Sequence, residues 1–321
     1  MKFTYDSIKL DPKKEIERIK FFIKDTVHNS LKKRGAVIGL SGGIDSSVVT
    51  ALCAEALGKD KVIAVLMPEQ DSSPESKELA LKIIGKYDIR YFIEDMTNAV
   101  TGLGCYTKIN EAVKRIFPEF GPDYKMKIFL PKEKENKKIL NIFHIRIVGP
   151  DGEEKTARLP INEYLQIVAA SNFKQRSRMS MLYYYAETNN YAVVGTGNKD
   201  EHGQGFFVKF GDGGVDLKPI VHLFKTQVYQ LAGQLGIPEE IIIRTPTSDT
   251  YSAEQTQEEF FFKAPFEILD RIWYGWEKNV PAEKIAETLK LEPGYVGNVI
   301  QDIENKIRST EYLRKIPITL E

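Results

Sequence analysis

The stretch Gly39-Leu40-Ser41-Gly42-Gly43-Ile44-Asp45-Ser46-Ser47 joins an apolar run, Ala36 to Leu40, to an apolar-rich segment, Ser46 to Leu57. The first reads as a short buried strand and the second as a helix. Glycines at such a junction allow backbone conformations and close approaches that side chains would block, so the amides of Gly42 to Ser46 can ring an anion. A helix beginning near Ser46 adds unpaired N–H groups and the positive end of its dipole. Ser41, Ser46 and Ser47 add hydroxyl donors. No lysine follows the glycines, so this is not the GxxxxGK[ST] loop, and Asp45 sits inside the turn. An acid facing a polyphosphate needs a cation between them, which implies Mg²⁺. Taken alone, the same residues also fit a plain glycine-rich turn with an Asp and Ser cap.

Outward from the loop, strands and helices alternate. Asp11 and Pro12 read as the N-cap and first residue of a helix, with Ile16, Ile19, Ile23, Val27 and Leu31 at helical spacing. Lys61 to Met67 reads as a second strand, Ser73 to Tyr87 as a helix and Ile89 to Ile93 as a third strand. Glu163 to Thr188 reads as a helix, Tyr191 to Gly195 as a strand, and Lys225 to Leu235 as a helix ending at Gly236. The pattern predicts an α/β fold: a doubly wound, mostly parallel sheet with helices on both faces and ligands at the carboxyl ends of its strands. Regularity weakens over residues 101–160. There the run Lys132 to Lys138 reads as a solvated loop, and Ile142 to Val148 begins an inserted β-hairpin with Pro150, Asp151 and Gly152 as its turn. The expectation is one domain over residues 1–321, with that insertion docked on it and bordering the site. Helices between Ala282 and Leu313 are expected to pack over the site.

Bulk composition narrows the classes of function. Lys plus Arg equals Asp plus Glu at 45 each, so no overall field points to nucleic acid or an anionic membrane. The two cysteines, Cys53 and Cys105, fit neither a disulfide framework nor a CxxC site, and the charged N-terminus is no secretory signal. A cytoplasmic enzyme is expected. His28, His144, His202 and His222 show neither triad nor HExxH spacing.

Three segments of the second half bear on chemistry. Asn172 to Met179, NFKQRSRM, is by itself an ordinary basic helix in which Arg176 and Arg178, two residues apart, point different ways. Val194 to Glu201 is a strand running into a glycine-containing loop, and Glu201 alone reads as a surface glutamate. Gly205 to Asp216, GFFVKFGDGGVD, is dense in glycine and acid, and fits a binding loop or a long glycine turn.

SGGIDSS resembles the pyrophosphate loop of the N-type ATP pyrophosphatases, among them GMP synthetase, asparagine synthetase, tRNA-thiolating enzymes and NAD synthetase. That resemblance implies cleavage of ATP between its α and β phosphates and adenylation of an oxygen, which a nitrogen or sulfur nucleophile then displaces. NxKxRxRM looks like the corresponding helix of NAD synthetases. KFGDGGVDLKPI, Lys209 to Ile220, closely resembles that family's KYGDGGxDxxPL. The resemblance covers roughly Gly35 to Thr101 and Ala169 to Asp249.

It implies an adenine nucleotide alpha hydrolase-like fold and amidation of deamido-NAD to NAD by ammonia, through an acyl adenylate, with release of AMP and pyrophosphate. By the same resemblance ATP is co-substrate, bound by Gly39, Ser41, Gly42, Gly43, Asp45, Ser46, Ser47, Met67, Thr196, Lys225 and Thr247. The dinucleotide falls to Asn172, Arg176, Tyr183, Lys209, Asp212 and Asp216, between the subunits of a homodimer. Asp45 and Glu201 hold Mg²⁺, and Lys225 joins them as a catalytic group. The apolar face of the first helix is a further reason to expect a dimer. Glutamine-dependent forms carry an extra glutaminase domain, so free ammonia or a separate glutaminase is expected to supply nitrogen. The chain departs from the family in its longer insertion, in Tyr312 to Pro317 where an HKR motif is common, and in TQEEFFFKAPFE after RTPTSD. The rival readings are a pyrophosphatase acting on another substrate, including RNA, and a non-catalytic nucleotide-binding regulator. Balanced charge and the missing CxxC oppose the RNA reading, and Asp45, Glu201 and Lys225 oppose the regulator.

Overall fold

Strand β1, Ala36–Gly39, lies between β2, Val62–Leu66, and β7, Ala192–Val194, with β3, Arg90–Ile93, beyond β2. All pairings in this sheet are parallel. The computed structural model describes residues 3–130, 142–247, 250–262 and 264–320, and the run Lys132 to Lys138 lies outside them. Side chains alternate across the sheet, as a period of two requires. Ala36, Ile38, Ala64, Leu66, Ala192 and Val194 face one apolar cluster, while Val37, Ile63, Val65 and Val193 face another. Both faces are therefore covered, which is why these strands are apolar throughout.

Helices α1, Pro12–Asp25, α2, Ile44–Leu57, and α3, Pro74–Tyr87, contribute to the first cluster, together with α8, Lys225–Leu235. Asp11 caps α1, accepting from the amides of Lys13 at 3.1 Å and Lys14 at 3.2 Å. The apolar face of α1, Ile16, Ile19 and Ile23, is buried against the chain's own core. It is spent inside one subunit and supplies no surface for a dimer. The opposite face of the sheet is covered by α6, Ile161–Asn189, a helix of 29 residues, through Met179, Leu182, Tyr185 and Ala186.

The segment 97–160 is more regular than its sequence suggests. Helices α4, Thr97–Gly102, and α5, Cys105–Lys114, precede an antiparallel meander of β4, Lys125–Phe129, β5, His144–Val148, and β6, Glu154–Arg158. The expected turn joins β5 to β6, with the Gly149 amide donating to the Glu153 carbonyl at 2.9 Å. An isolated hairpin is marginal in water. Here Met126, Ile128, Ile145 and Ile147 bury one face of the meander in a cluster that includes Ile109 and Val113 of α5 and Ile167 and Ala170 of α6.

The remaining α-helices among the described residues are α7, Lys199–Gln204, α9, Glu239–Ile243, α10, Phe266–Glu277, α11, Ala282–Leu289, α12, Pro293–Ser309, and α13, Glu311–Arg314. Helices α10, α11 and α12 share an apolar cluster with Phe3, Ile8 and Phe224. Among the described residues no helix is long and apolar enough to cross a membrane.

Candidate active site

At the end of β1 the chain turns through Ser41–Gly43 and enters α2 at Ile44, two residues before Ser46, because Gly43 takes the N-cap position. Asp45 therefore stands in the first helical turn rather than in the loop. Gly42 adopts φ +78°, and a Cβ there would lie 2.2 Å from the Ser76 carbonyl oxygen. Only glycine lets the loop seat against α3 in this way. Ser46 and Ser47 donate their hydroxyls to the Gly43 carbonyl at 3.0 Å and 2.8 Å. Ser47 is fully buried, so its hydroxyl braces the loop from behind.

A second loop, after β7, meets the first. Asn198 caps α7: its Oδ1 accepts from the Glu201 amide at 3.1 Å, and its own amide donates to Glu201 Oε2 at 3.2 Å. Its Nδ2 reaches across and donates to Asp45 Oδ1 at 3.0 Å. Lys225, the first residue of α8, ion-pairs with the other oxygen of Asp45 and is 1% exposed. Burial opposes the charge of the Lys225 ammonium, but Asp45 and Glu201 outweigh it and hold its pKa above the ordinary range. Burial first, and then the neighbouring Asp45, push Glu201 up to about 8.

This donor set fits Mg²⁺. Among the described residues no three His, Cys, Asp or Glu side chains converge. The protein offers the two carboxylates Asp45 and Glu201 and leaves other positions to phosphate oxygens and water, which is how this ion is commonly held. Burial and the neighbouring Asp45 disfavour the charge on Glu201, and a cation bound there would favour it.

The two loops open onto a cavity of 520 Å³. Gly39, Ser41, Gly43, Asp45, Ser46, Met67, Thr196, Glu201, Lys225 and Thr247 line it, and so do Asn172 and Asp212. Phe143, just before β5, stacks on Tyr164 at 4.6 Å, and both rings line the wall. A residue of the insertion, Phe143, thus stands on the cavity wall. No residue of α11, α12 or α13 lines the cavity. The expectation that they cover the site is corrected: α12 and α13 buttress α7 from behind, with Arg314 donating to the carbonyls of His202 and Gly203 at 3.1 Å each.

Gly42 and Ser47 support the loop without lining the cavity, and Arg176, Tyr183, Lys209 and Asp216 lie outside its wall. These last four form a separate group where α6 meets the glycine-rich loop. Arg176 Nε donates to the Lys209 carbonyl at 3.3 Å, the Tyr183 hydroxyl donates to Asp216 Oδ1 at 3.0 Å, and Lys209 Nζ donates to the Tyr312 carbonyl at 3.0 Å. Asp212 accepts from the Val208 amide at 2.8 Å, and burial raises its pKa to about 6. His202 is stacked on Phe207 and lowered to about 4, chiefly by burial, so it stays neutral. Burial pushes the Cys53 thiol up to about 12 and Cys105 to about 11, which keeps both unreactive.

Sequence reasoning assigned no role to several residues now seen at the site. Asn198 ties the two loops together, and Gln257 donates to Glu201 Oε1 at 3.4 Å. Lys174, 2% exposed, pairs with Glu69 at 3.1 Å and Asp71 at 2.6 Å, and Arg178 Nε donates to the Met67 carbonyl at 3.0 Å. Both cations stand in NxKxRxRM, so the motif carried a signal for them. Gln257 carried none.

The buried acids set a pH dependence. Glu201 at about 8 and Asp270, raised by burial to about 7, hold protons in the folded chain that the unfolded chain has shed. A raised carboxyl pKa makes stability fall as pH rises toward the folded value. As pH rises above about 6.5, unfolded His202 loses its proton and opposes this trend less and less, while the buried carboxyls outnumber it. Thermal melts of the ligand-free chain should therefore show Tm falling from about pH 6.5 to about pH 8.5. A Tm that rises across that window would reject these assignments.

Comparison with known proteins agrees with this geometry. The model of the family described as NAD synthase matches residues 15–116 and 145–317. A protein of Mesorhizobium japonicum named NH3-dependent NAD+ synthetase is 44% identical over 309 residues, covering 96% of this chain and 97% of the relative. One of Rhizobium rhizogenes with the same name is 41% identical, covering 98% and 95%. Among solved structures, an NH3-dependent NAD synthetase from Campylobacter jejuni, in complex with nitrate, superposes with a TM-score of 0.61 at 27% identity, covering 97% of this chain and all of that one.

Proposed function

Because the chain belongs to the NAD synthase family, we propose that it converts deamido-NAD to NAD, using ATP and ammonia and releasing AMP and pyrophosphate. The observation that carries this reading is one cavity joining Ser41, Gly43, Ser46, Asp45, Glu201 and Lys225 to Asn172 and Asp212. It has an anion-binding end and a second end suited to an acceptor.

Loop amides and the start of α2 hold the ATP phosphates, with Thr247 and Thr196 alongside. Asp45 and Glu201 would hold Mg²⁺, which supplies positive charge to the phosphates when bound. The nicotinate carboxylate attacks the α-phosphorus, the bond to the bridging oxygen breaks, and pyrophosphate leaves against Lys225 and the loop amides. Ammonia then adds to the acyl carbon and AMP departs with the carboxyl oxygen. Positioning and charge do the work, and no side chain forms a bond. Incubation with ATP, Mg²⁺, NH4⁺ and deamido-NAD should yield NAD and AMP in equal amounts. AMP without NAD, or neither product, would overturn the reading.

The working form is a homodimer. Arg176, Tyr183, Lys209 and Asp216 lie outside the cavity wall, and Ile161, Leu165 and Tyr184 on α6 and the nearby Phe210 are large apolar residues left exposed. A second subunit seated there would cover those residues and complete the dinucleotide site. Light scattering should give twice the chain mass, and Leu165→Glu with Tyr184→Glu should give a folded monomer with a KM for deamido-NAD raised at least tenfold, about 1.4 kcal/mol. A fully active monomer would reject the shared site. Reduced, buried cysteines fit a cytoplasmic setting. Nitrogen arrives as free ammonia or from a separate glutaminase.

A further inference from the structure

Helix α8 begins with Lys225, yet its own sequence gives it no acidic or hydroxyl N-cap: Phe224 holds that position. The exposed donors of its first turn are met from elsewhere in the fold. The Lys225 amide donates to Asp200 Oδ2 at 2.7 Å, and the Thr226 amide donates to Asp270 Oδ2 at 2.7 Å. Asp200 belongs to α7, next to Glu201, and Asp270 to α10. Both carboxyls are wholly buried. The Oδ1 of each has no hydrogen-bond partner.

Two buried carboxyls are costly to keep, and replacing such a pair with apolar side chains often leaves a protein as stable or more so. Their geometry has a use that packing alone would not serve. One acid is on the element that carries Glu201, the other is on the carboxyl-terminal helices, and both close on the turn that presents Lys225. The aromatic ring of Phe266, also on α10, lies 5.5 Å below the Lys225 ammonium. Asp270 itself lies outside the cavity lining.

We propose that Asp270, together with Asp200, is a positioning residue for the reaction: by capping α8 it fixes Lys225 against Asp45 and Glu201. The inference rests on the role given to Lys225 above. A misplacement of about 1 Å can cost on the order of 100-fold in rate, so a cap that sets the first residue of a helix matters to turnover without touching substrate.

The test compares Asp270→Leu with Asp270→Asn in the full chain. The amide keeps an acceptor for the Thr226 N–H, so Asp270→Asn should stay within about threefold of wild type. Asp270→Leu, of similar size, should lower kcat by on the order of 10- to 100-fold with the KM for deamido-NAD unchanged. If Asp270→Leu does not fold, the double variant Asp200→Ala with Asp270→Ala leaves no lone buried acid and carries the same expectation. The deciding readout is coupling to Lys225→Met: a positioning role makes Asp270→Leu with Lys225→Met no slower than Lys225→Met alone, whereas a merely structural role makes the losses multiply. Wild-type kcat in Asp270→Leu, equal loss in Asp270→Asn, or multiplying losses would overturn the inference. Wild-type turnover in Lys225→Met would instead remove the underlying role of Lys225.

Discussion

Replacing Asp45 with Asn leaves a folded chain whose turnover falls by on the order of 100- to 1,000-fold. The change keeps side-chain volume and the acceptor for Asn198 Nδ2, which lies 3.0 Å away. It removes the charge, and a neutral amide is a poor ligand for a hard divalent cation. The loss should shrink as Mg²⁺ is raised, because mass action offsets a weakened site. Neutralising Asp45 also lifts the larger of the two charge repulsions on Glu201, so its pKa should fall from about 8. Steady-state rates across a Mg²⁺ titration check this. Wild-type turnover at limiting Mg²⁺ would show that Asp45 holds no metal.

Replacing Lys225 with Met should cost about as much, on the order of 1,000-fold in kcat, but excess Mg²⁺ should not restore it. The methionine keeps the length of the apolar stem and loses the charge that faces Asp45. If Lys225 stabilises the departing pyrophosphate, formation of the adenylate slows, and exchange of labelled pyrophosphate into ATP in the presence of deamido-NAD slows with it. Normal exchange with slow NAD formation would move Lys225 to the ammonia step. Normal rates throughout would leave it a structural partner of Asp45. The two variants therefore separate the cation from the lysine, although both act within one buried cluster.

Local features were the most legible in the sequence. β1, the glycine turn and α2 could be read because an apolar run, glycines and a helical segment follow one another without interruption. The sharp end of α8 followed from Gly236, which takes a left-handed conformation. Less could be read where the partner is distant. Gly102 and Gly104 break the helical pattern around α4 and α5, so those helices become evident only once Val100, Cys105 and Ile109 are seen in one cluster with the meander. The stripe Ile16, Ile19, Ile23 declared an apolar face but not its partner, and it turned inward. The same limit holds at the site. Asp45, Glu201 and Lys225 stood out by motif, whereas Asn198, Gln257 and Asp270 matter only because the fold brings separate segments to one place.

Helix α6 serves as a ruler for the molecule. Gln166 donates to the Lys108 carbonyl at 2.8 Å, Lys174 reaches Asp71 at 2.6 Å, Arg178 the Met67 carbonyl at 3.0 Å, Tyr183 reaches Asp216 at 3.0 Å, and Tyr185 hydrogen-bonds Glu94. Four distant segments take their places from one uninterrupted helix of 29 residues. An inserted or deleted residue near its middle would swing everything beyond it by about 100° and break the later contacts together, while a substitution breaks one. A change in chain length is therefore far better tolerated in a turn, such as that between β5 and β6, than within this helix.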